Sequence, residues 1–334
     1  MAQNSYHIIG VDLGGTKILV AGMDADHRIL ARTKIPTGAE DGPEAVIDRI
    51  AAGVEAIVDE MDVPPDSVAG IGIGAPGPLD PETGIVTFAP NLKWHHVPLK
   101  EMLESRLSIP TFVENDVNLG VLGEHLLGAG RGVKDMVGVF VGTGIGGGVI
   151  LNGKLYRGFN RSAGEVGHMV IRVGGPRCGC GNRGCWEALA SRTAIVRSIR
   201  KALQKGKKSV LQEKAAKNSA PIKSGVLGWA LRQGDALVEK EMKREAKYLG
   251  IGVANLINLF SPQKVVLGGG VVSAMEHWLM DPVRRHARRH ALEHAMLGVE
   301  IVPAALGDDA GILGCAVLVQ QRLAEKPQEM EVPA

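Results

Sequence analysis

The sequence contains one local pattern twice: a strand-length apolar run, a glycine-rich turn, and a second strand-length apolar run. The first turn spans 12–17 and the second spans 142–148. Glycine lets a backbone turn tightly and leaves its N–H groups accessible to an anion. The two copies share a pattern rather than residue identity, and two such halves facing each other would bring both turns to one cleft.

Strands and helices alternate through the first third of the chain. A predicted meander of three antiparallel strands is followed by helix-period apolar residues from 43 to 61 and by a buried strand at 68–75. A helix is predicted at 99–107, and another at 117–127 follows a short strand at 111–113. This alternation is typical of an α/β lobe with a mixed sheet.

The length of the chain also favours two lobes, because 334 residues are many for one compact core. We expect a small α/β lobe at 1–119 together with about 308–334. A large α/β lobe at 120–307 is expected to carry a glycine- and cysteine-rich loop.

Composition argues against nucleic acid and membranes as partners. The formal net charge is +2 and aromatic residues make up 4% of the chain, so stacking platforms for nucleic acid are not indicated. The basic stretch at 201–217 is expected to be a solvated helix face. No apolar run approaches the ~18 residues that a membrane span needs. The first residues lack the features of a signal peptide, and we therefore expect a cytoplasmic protein.

The first turn offers several groups to a phosphate and its metal ion. Gly14 and Gly15 expose backbone N–H groups. Thr16 adds a hydroxyl, and Lys17 adds a positive charge. Asp12 can hold Mg2+ through water, because hard cations prefer oxygen ligands. The alternative is a plain hairpin turn that contains an aspartate.

The second turn, Gly142-Thr143-Gly144-Ile145-Gly146-Gly147-Gly148, contains the G-x-G-x-x-G spacing of dinucleotide-binding loops. That function requires a helix straight after the loop, whereas an apolar run at 149–151 and an Asn152-Gly153 hairpin turn follow here. The context excludes the dinucleotide interpretation and favours a β-turn that cradles phosphate. A glycine bulge without a ligand is the alternative.

The segment Glu114-Asn115-Asp116 lies between a predicted strand and a predicted helix. Asn and Asp are favoured N-caps, so capping is the expected role of one of them. The carboxyl end of a strand in an α/β sheet is also where ligands bind. A carboxylate there can accept the proton of an attacking hydroxyl, as kinases require.

Three of the four cysteines crowd into one loop. Three thiols and one imidazole, the ligand set of a closed structural zinc site, come from His168, Cys178, Cys180 and Cys185. The loop has no C-x-x-C pair for redox chemistry, and three free thiols are the alternative. Glu165 and Glu187 bracket the loop, and two carboxylates fixed by a metal suit a row of sugar hydroxyls.

Together these segments resemble the ROK family of repressors, open reading frames and sugar kinases, over nearly the whole chain. The cysteine block is the most specific part of the resemblance, which rests on 12–17, 74–78, 91–94, 114–116, 142–148, 164–168, 178–187 and 267–270. The resemblance implies an actin-like ATPase (ribonuclease H-like) fold with two lobes, mixed sheets and a central cleft. It also implies ATP, Mg2+ and a structural Zn2+ as cofactors, a hexose as substrate, and a homo-oligomer, either a dimer or a tetramer.

The same resemblance implies roles for individual residues. The implied ATP- and magnesium-binding residues are Asp12, Gly14, Gly15, Thr16, Lys17, Gly142, Thr143, Gly144, Gly147, Gly268, Gly269 and Gly270. The implied sugar ligands are Asn91, Asn115, Asp116, Glu165, His168 and Glu187. Asp116 is the implied general base for attack of the sugar 6-hydroxyl on the γ-phosphorus of ATP. His168 would contact the sugar through one ring nitrogen and zinc through the other.

Within the family the resemblance favours glucose as the substrate, because Asn91-Leu92-Lys93-Trp94 and Glu187 look more like glucokinases than N-acetylhexosamine kinases. Kinases for N-acetylglucosamine, mannose or fructose are alternatives. Outside the kinases, the alternatives are a sugar-responsive regulator and a non-catalytic sugar-binding protein. ROK repressors carry an N-terminal winged helix-turn-helix. In this sequence the first strand is predicted to begin within ten residues, which is expected to leave no room for such a domain. The intact Asp116 and both glycine turns argue against a mere binding protein.

Overall fold

The computed structural model describes residues 6–212 and 222–325, which divide into two compact units. The first unit comprises the residues up to Leu127, 158–162, and those from Asp309 onward, and the second comprises 128–157 and 163–308. The expected boundary near residue 119 lies inside a helix, Asp116–Leu126, that belongs wholly to the first unit. The division after Leu127 therefore corrects that boundary.

The first unit is built on a five-stranded mixed sheet. The strands described in this unit are β1 (His7–Leu13), β2 (Lys17–Met23), β3 (Ile29–Pro36), β4 (Val68–Ala75), β5 (Leu79–Asp80), β6 (Ile85–Ala89), β7 (Trp94–Pro98) and β8 (Thr111–Asn115). The order in the main sheet is β3-β2-β1-β4-β8. The predicted meander of β1, β2 and β3 is antiparallel, and β4 and β8 run parallel to β1.

Helices cover both faces of this sheet. Helix α1 (Pro43–Met61) begins at a proline, whose fixed φ suits the first helical position, and ends before Asp62 adopts a left-handed conformation. Its apolar face packs on the side of β1 that includes Val11. The other side of β1, with Ile8, packs on the terminal helix at Ala310–Ala324. The alternation of side chains along β1 thus separates two cores.

The sequence pattern does not predict the small sheet β5-β6-β7. The Asn91-Leu92-Lys93-Trp94 segment covers the end of the connection between β6 and β7 and the first residue of β7. Leu92 is fully buried and Trp94 is 1% exposed. These two apolar side chains anchor the segment and thereby hold the polar Asn91, which directly precedes them, in place. The remaining helices before the second unit are α2 (Leu99–Leu107) and α3 (Asp116–Leu126).

The second unit repeats the sheet topology of the first. Its described strands are β9 (Met136–Val141), β10 (Ile145–Leu151), β11 (Lys154–Leu155), β12 (Lys264–Gly268) and β13 (Glu300–Pro303). Their order is β11-β10-β9-β12-β13, again an antiparallel meander followed by two parallel strands. The internal repeat predicted from the sequence pattern is therefore confirmed in topology.

The rest of the second unit is mostly helical. Its described helices are α4 (Trp186–Ala190), α5 (Arg192–Gln204), α6 (Ser224–Arg232), α7 (Ala236–Phe260), α8 (Gly270–His290) and α9 (Glu293–Met296). Of the basic stretch predicted at 201–217, the part from 213 lies outside the described residues. Across the described ranges, no helix is both long enough and apolar enough to cross a membrane.

Candidate active site

The first glycine turn joins β1 to β2 and is held by hydrogen bonds. Gly14 N donates to Lys17 O at 3.0 Å, and the hydroxyl of Thr37 donates to Gly14 O at 2.7 Å. Thr37 is fully buried, whereas Thr16 and Lys17 are exposed. The turn therefore keeps its hydroxyl and its amine accessible to a ligand. Thr37 is a supporting residue that sequence reasoning missed, since it lies in an unpatterned connection after β3.

Gly15 brings this turn against Asn91. A Cβ at residue 15 would lie 2.9 Å from Asn91 Cβ and 3.2 Å from Asn91 O. Carbon atoms pack optimally at about 3.5–4.0 Å, so this approach requires glycine. A segment predicted to bind phosphate and a residue predicted to bind sugar are therefore neighbours within the first unit.

Asp12 and Asp116 lie at the same end of the first sheet. In the strand register Asp12 pairs with Gly74, and Gly74 pairs with Glu114. Asp116 follows β8 directly, and a Cβ built at Gly74 would lie 3.7 Å from Asp116 Cβ. The two carboxylates thus flank β4 at the carboxyl ends of parallel strands, which is the edge where α/β sheets bind ligands.

The environment of Asp12 fits a cation site. Burial raises the pKa of Asp12 above its ordinary value, because it disfavours the charged carboxylate. A nearby cation would counter that effect, since an opposite charge favours the ionised form. A half-buried carboxylate at this edge is therefore suited to a hard cation such as Mg2+.

Asn115 caps α3, as expected for one residue of its segment. Its Oδ1 accepts hydrogen bonds from Val117 N at 3.0 Å and from Asn118 N at 3.2 Å. The buried Glu114 supports the cap, because its Oε1 accepts from Asn115 N and from Asn118 Nδ2, both at 3.0 Å. Capping uses the side-chain carbonyl of Asn115 and leaves its amide group outside the cap.

The second glycine turn joins β9 to β10 and is held by the start of α5. Gly142 N donates to Gly144 O at 2.9 Å, and Arg192 N donates to Gly142 O at 3.0 Å. Arg192 Nη2 also donates to Thr143 Oγ1 at 2.5 Å, and Thr193 Oγ1 donates to Thr143 O at 2.7 Å. Sequence reasoning missed Arg192 and Thr193, although they directly follow Ser191, which caps α5.

Glu187 links the second turn to the cysteine loop. Its Oε2 accepts a hydrogen bond from Ile145 N at 3.1 Å, and its Oε1 lies 3.6 Å from Cys178 Sγ. A Cβ at Gly144 would lie 2.2 Å from Glu187 Oε2. Glycine at 144 is therefore required for the carboxylate of Glu187 to reach the turn.

The four predicted metal ligands come together. The ligand atoms of His168, Cys178, Cys180 and Cys185 all lie within 4.8 Å of one another. Cys180 Sγ lies 3.7 Å from Cys185 Sγ, and Cys178 Sγ lies 3.7 Å from His168 Nδ1. Zn–S bonds of about 2.3 Å in a regular tetrahedron separate sulfur atoms by about 3.8 Å. The donor set and its spacing therefore fit a tetrahedral zinc ion.

The two ring nitrogens of His168 have different neighbours. Nδ1 is the atom near Cys178 Sγ, whereas Nε2 lies 3.9 Å from Glu165 Oε2. Glu165 and His168 are both partly exposed, with 60% and 38% of their side chains accessible. One nitrogen is thus available to the thiol cluster and the other faces an exposed carboxylate.

The third glycine segment adjoins the second turn. Strand β12 ends at Gly268, and Gly269 has φ 82° before α8 begins. A Cβ at Gly269 would lie 2.6 Å from Val141 O, so Gly269 crosses the end of β9 directly before the second turn. A Cβ at Gly270 would lie 3.5 Å from Ser224 Oγ, a buried hydroxyl with no hydrogen-bond partner among the described residues.

A cavity of about 590 Å3 opens beside the second turn, within the second unit. Its walls come from Thr143, from one face of α5 and from Ile222. Val196 and Ile222 supply apolar wall, while Arg192 and Arg200 supply positive charge. The sequence did not predict this cavity, because its walls are distant in the chain.

Comparisons with known proteins identify the family. A sequence model of the ROK family matches residues 8–322, and the chain belongs to the ROK family. It is 40% identical to a glucokinase of Thermotoga maritima over 319 residues, 95% of this chain and 98% of that one. It is also 30% identical to a xylose repressor of Caldicellulosiruptor bescii over 321 residues, 96% of this chain and 80% of the repressor.

A solved structure shows the same fold. The crystal structure of a ROK family glucokinase from Streptomyces griseus, in complex with glucose and AMPPNP, matches with a TM-score of 0.81 and 36% identity. The match covers 94% of this chain and 99% of that chain. The predicted fold class, an actin-like ATPase fold with mixed sheets, is therefore confirmed.

Proposed function

We propose that this chain is an ATP-dependent hexose kinase that phosphorylates glucose at O6. The similarity to glucokinases over nearly the whole chain supports the reaction class and the sugar. The observation that carries the proposal is the position of Asp12 and Asp116 on either side of Gly74. One carboxylate suits the metal ion of a nucleotide, and the other suits the proton of an attacking hydroxyl.

Asp116 is proposed as the general base. It accepts the proton of the sugar 6-hydroxyl while that oxygen attacks the γ-phosphorus in line, and the bond to the β–γ bridging oxygen breaks to release ADP. Asp116 Oδ1 accepts a hydrogen bond from Val117 N at 2.9 Å, which fixes the orientation of the carboxylate. Mg2+, when bound, neutralises charge on the phosphoryl oxygens, and Asp12 would hold it.

ATP is proposed to bind through both glycine turns. Gly14, Gly15, Thr16 and Lys17 in one turn, and Gly142, Thr143, Gly144 and Gly147 in the other, would bind the phosphates. Backbone N–H groups in such turns are preorganised donors for the charge that develops during transfer. The nucleoside would lie at Gly268, Gly269 and Gly270 and in the cavity beside Thr143. One short segment joins these two locations, because its Ser224 lies by Gly270 and its Ile222 lines the cavity.

The sugar is proposed to contact Asn91, Asn115, Asp116, Glu165, His168 and Glu187. The exposed side of His168, with Nε2 toward Glu165, supports the double role of this imidazole. A metal on Nδ1 would leave Nε2–H as a donor to a sugar hydroxyl. Carboxylates at Glu165 and Glu187 would accept hydrogen bonds from neighbouring hydroxyls.

The thiol cluster is proposed to hold a structural zinc ion. The ligands would be His168, Cys178, Cys180 and Cys185, whose spacing suits four-coordinate zinc. Four protein ligands leave no open position on the metal, so its role would be to fix the loop. The contact between Glu187 and Cys178 supports this role, because the loop that holds zinc also positions a sugar ligand.

A sugar-responsive regulator is the second candidate, and the similarity to a xylose repressor favours it. The kinase is preferred because the match to the Streptomyces griseus glucokinase covers 99% of that chain. A cytoplasmic location, a dimeric or tetrameric assembly, and kinases for N-acetylglucosamine, mannose or fructose remain predictions of the sequence and of its resemblance.

The test is a coupled assay of sugar-dependent ADP formation with Mg-ATP. Glucose, mannose, N-acetylglucosamine, fructose and allose are compared by kcat/KM, and glucose is expected to be the preferred substrate. Preference for another sugar would replace the substrate and keep the reaction. If zinc-containing protein turned over none of these sugars, the kinase proposal would be wrong, and binding of DNA fragments would then test the regulator.

A further inference from the structure

A second basic cavity lies in the second unit and shares part of its wall with the cavity beside Thr143. The run from Arg192 to Gln212 contains seven cationic residues and no acidic residue, and the sequence alone suggested a solvated face. In the structure, part of this run lines a cavity of about 340 Å3 between the cysteine loop, α4, α5 and α7. Its polar walls are Arg172, Arg197, Ser198, Lys201, Arg244 and Tyr248.

The positive charge of this cavity is poorly compensated. Of its four cationic residues, only Arg244 forms an ion pair with another described residue, Glu241, at 2.6 Å. Glu245 also lies on α7, but it is fully buried. Burial raises the pKa of Glu245 well above its ordinary value, because it disfavours the charged carboxylate. The cavity therefore gathers three cations without a carboxylate partner within the described ranges.

Hydrogen bonds fix the three guanidinium groups at the cavity wall. Arg244 Nη1 donates to Ser198 Oγ at 2.8 Å, and Arg172 Nη1 donates to Tyr248 Oη at 3.2 Å. Arg197 Nη2 donates to Ala188 O at 2.6 Å.

Each guanidinium carries five N–H donors, and these bonds use only a few of them. Arg244 Nε is buried and has no partner in the described part of the chain. Guanidinium groups whose positions are fixed in this way are preorganised for a planar or tetrahedral oxyanion.

We propose that this cavity binds inorganic phosphate or a small phosphate monoester. Arginine forks recognise phosphate oxygens through paired hydrogen bonds, and Lys201 adds a point charge. The volume of about 340 Å3 falls within the range of about 300–1,000 Å3 that is usual for small-molecule sites. Ser198 and Tyr248 supply hydroxyls for the remaining oxygens.

Two of the cations also line the cavity beside Thr143. Arg197 and Lys201 contribute to both cavities, whereas Arg172, Arg244 and Tyr248 line only the smaller one. A test must therefore change Arg172 as well as Lys201, and it must be run with the proposed nucleotide and sugar sites filled.

The experiment is calorimetric titration of the zinc-loaded protein in saturating glucose, Mg2+ and AMPPNP. Inorganic phosphate and glucose 6-phosphate are titrated separately at one ionic strength. Wild-type protein is expected to bind one equivalent. The double variant Arg172→Gln/Lys201→Gln is expected to bind at least about tenfold more weakly, because it loses two charged donors.

The matched control is Arg183→Gln/Lys205→Gln, which removes the same charge from the same loop and from the end of the same helix without touching the cavity wall. Its affinity should equal that of the wild type. The single variant Lys201→Gln, outside the cysteine loop, should show part of the loss even if the double variant folds poorly. Saturable binding of either probe by the wild type supports the site. The probe that binds more tightly, inorganic phosphate or glucose 6-phosphate, identifies the ligand. Absence of saturable binding by wild-type protein, or equal losses in the double variant and its control, would overturn the proposal.

Discussion

Alanine at position 144 is expected to separate the second glycine turn from Glu187. The added Cβ would lie 2.2 Å from Glu187 Oε2, whereas a close C···O contact is about 3.3–3.6 Å. The carboxylate must therefore retreat by about 1 Å or more. That movement would lengthen its hydrogen bond from Ile145 N, now 3.1 Å, beyond the usual limit.

The magnitude follows from the bond that is lost. A hydrogen bond to a charged group contributes about 1.5–3 kcal/mol, and each 1.4 kcal/mol corresponds to about a factor of ten. If Glu187 binds glucose from this position, Gly144→Ala should lower kcat/KM for glucose by roughly 10- to 150-fold. A misplacement of about 1 Å can cost on the order of 100-fold by itself, which agrees with this range.

The assay measures glucose affinity by titration without nucleotide, followed by kcat/KM with Mg-ATP. Gly142→Ala, in the same turn, is the matched control for the titration, because its Cβ would meet no atom within 4 Å. The control should bind glucose as the wild type does, while Gly144→Ala should bind it more weakly. Equal glucose affinity in all three proteins would refute the link between the turn and Glu187.

Three further predictions concern the cation site, the thiol cluster and the nucleotide cavity. Burial raises the folded-state pKa of Asp12, so ionisation of this carboxyl costs folding free energy above that pKa. The Tm of Asp12→Asn should therefore equal or exceed that of the wild type at pH 7, and the two Tm values should converge below about pH 3.8. The kcat of the variant should fall. A lower Tm at pH 7 would contradict this. Cys178→Ser should abolish zinc binding measured by metal analysis, and a chelator should lower the Tm of the wild type but not that of the variant. Arg192→Gln should raise KM for ATP about tenfold through loss of the bond to Thr143, with Arg289→Gln as the unaffected surface control.

Local patterns account for the parts of the fold that the sequence predicted. Strand, turn and helix signals depend on near neighbours, so the meander of β1, β2 and β3 and the helix at Pro43–Met61 could be predicted from the sequence. The repeat of one sheet topology in two units followed from the two glycine turns. The cap at Asn115 followed from its place between a strand and a helix.

Contacts between distant segments account for what the sequence could not predict. The support of Gly14 by Thr37, and of Thr143 by Arg192, depends on tertiary packing that no local period encodes. Strand β5 has two residues, and the five-residue strands β6 and β7 do not alternate strictly between apolar and polar residues. The cavity between α5 and α7 arises only once these helices pack, because its cations are far apart in the chain.

The central claim is that Asp116 removes the proton from the sugar hydroxyl, and Asp116→Asn tests it most directly. The amide keeps an oxygen that can accept from Val117 N, so the local structure should persist. Turnover of glucose, measured as kcat with Mg-ATP, should fall by about 10²–10⁴-fold, while the Kd for glucose stays within a few-fold. Asp59→Asn, on the exposed face of α1, should behave as the wild type. Near-normal kcat in Asp116→Asn, or an equal loss of glucose binding and turnover, would contradict the role of Asp116.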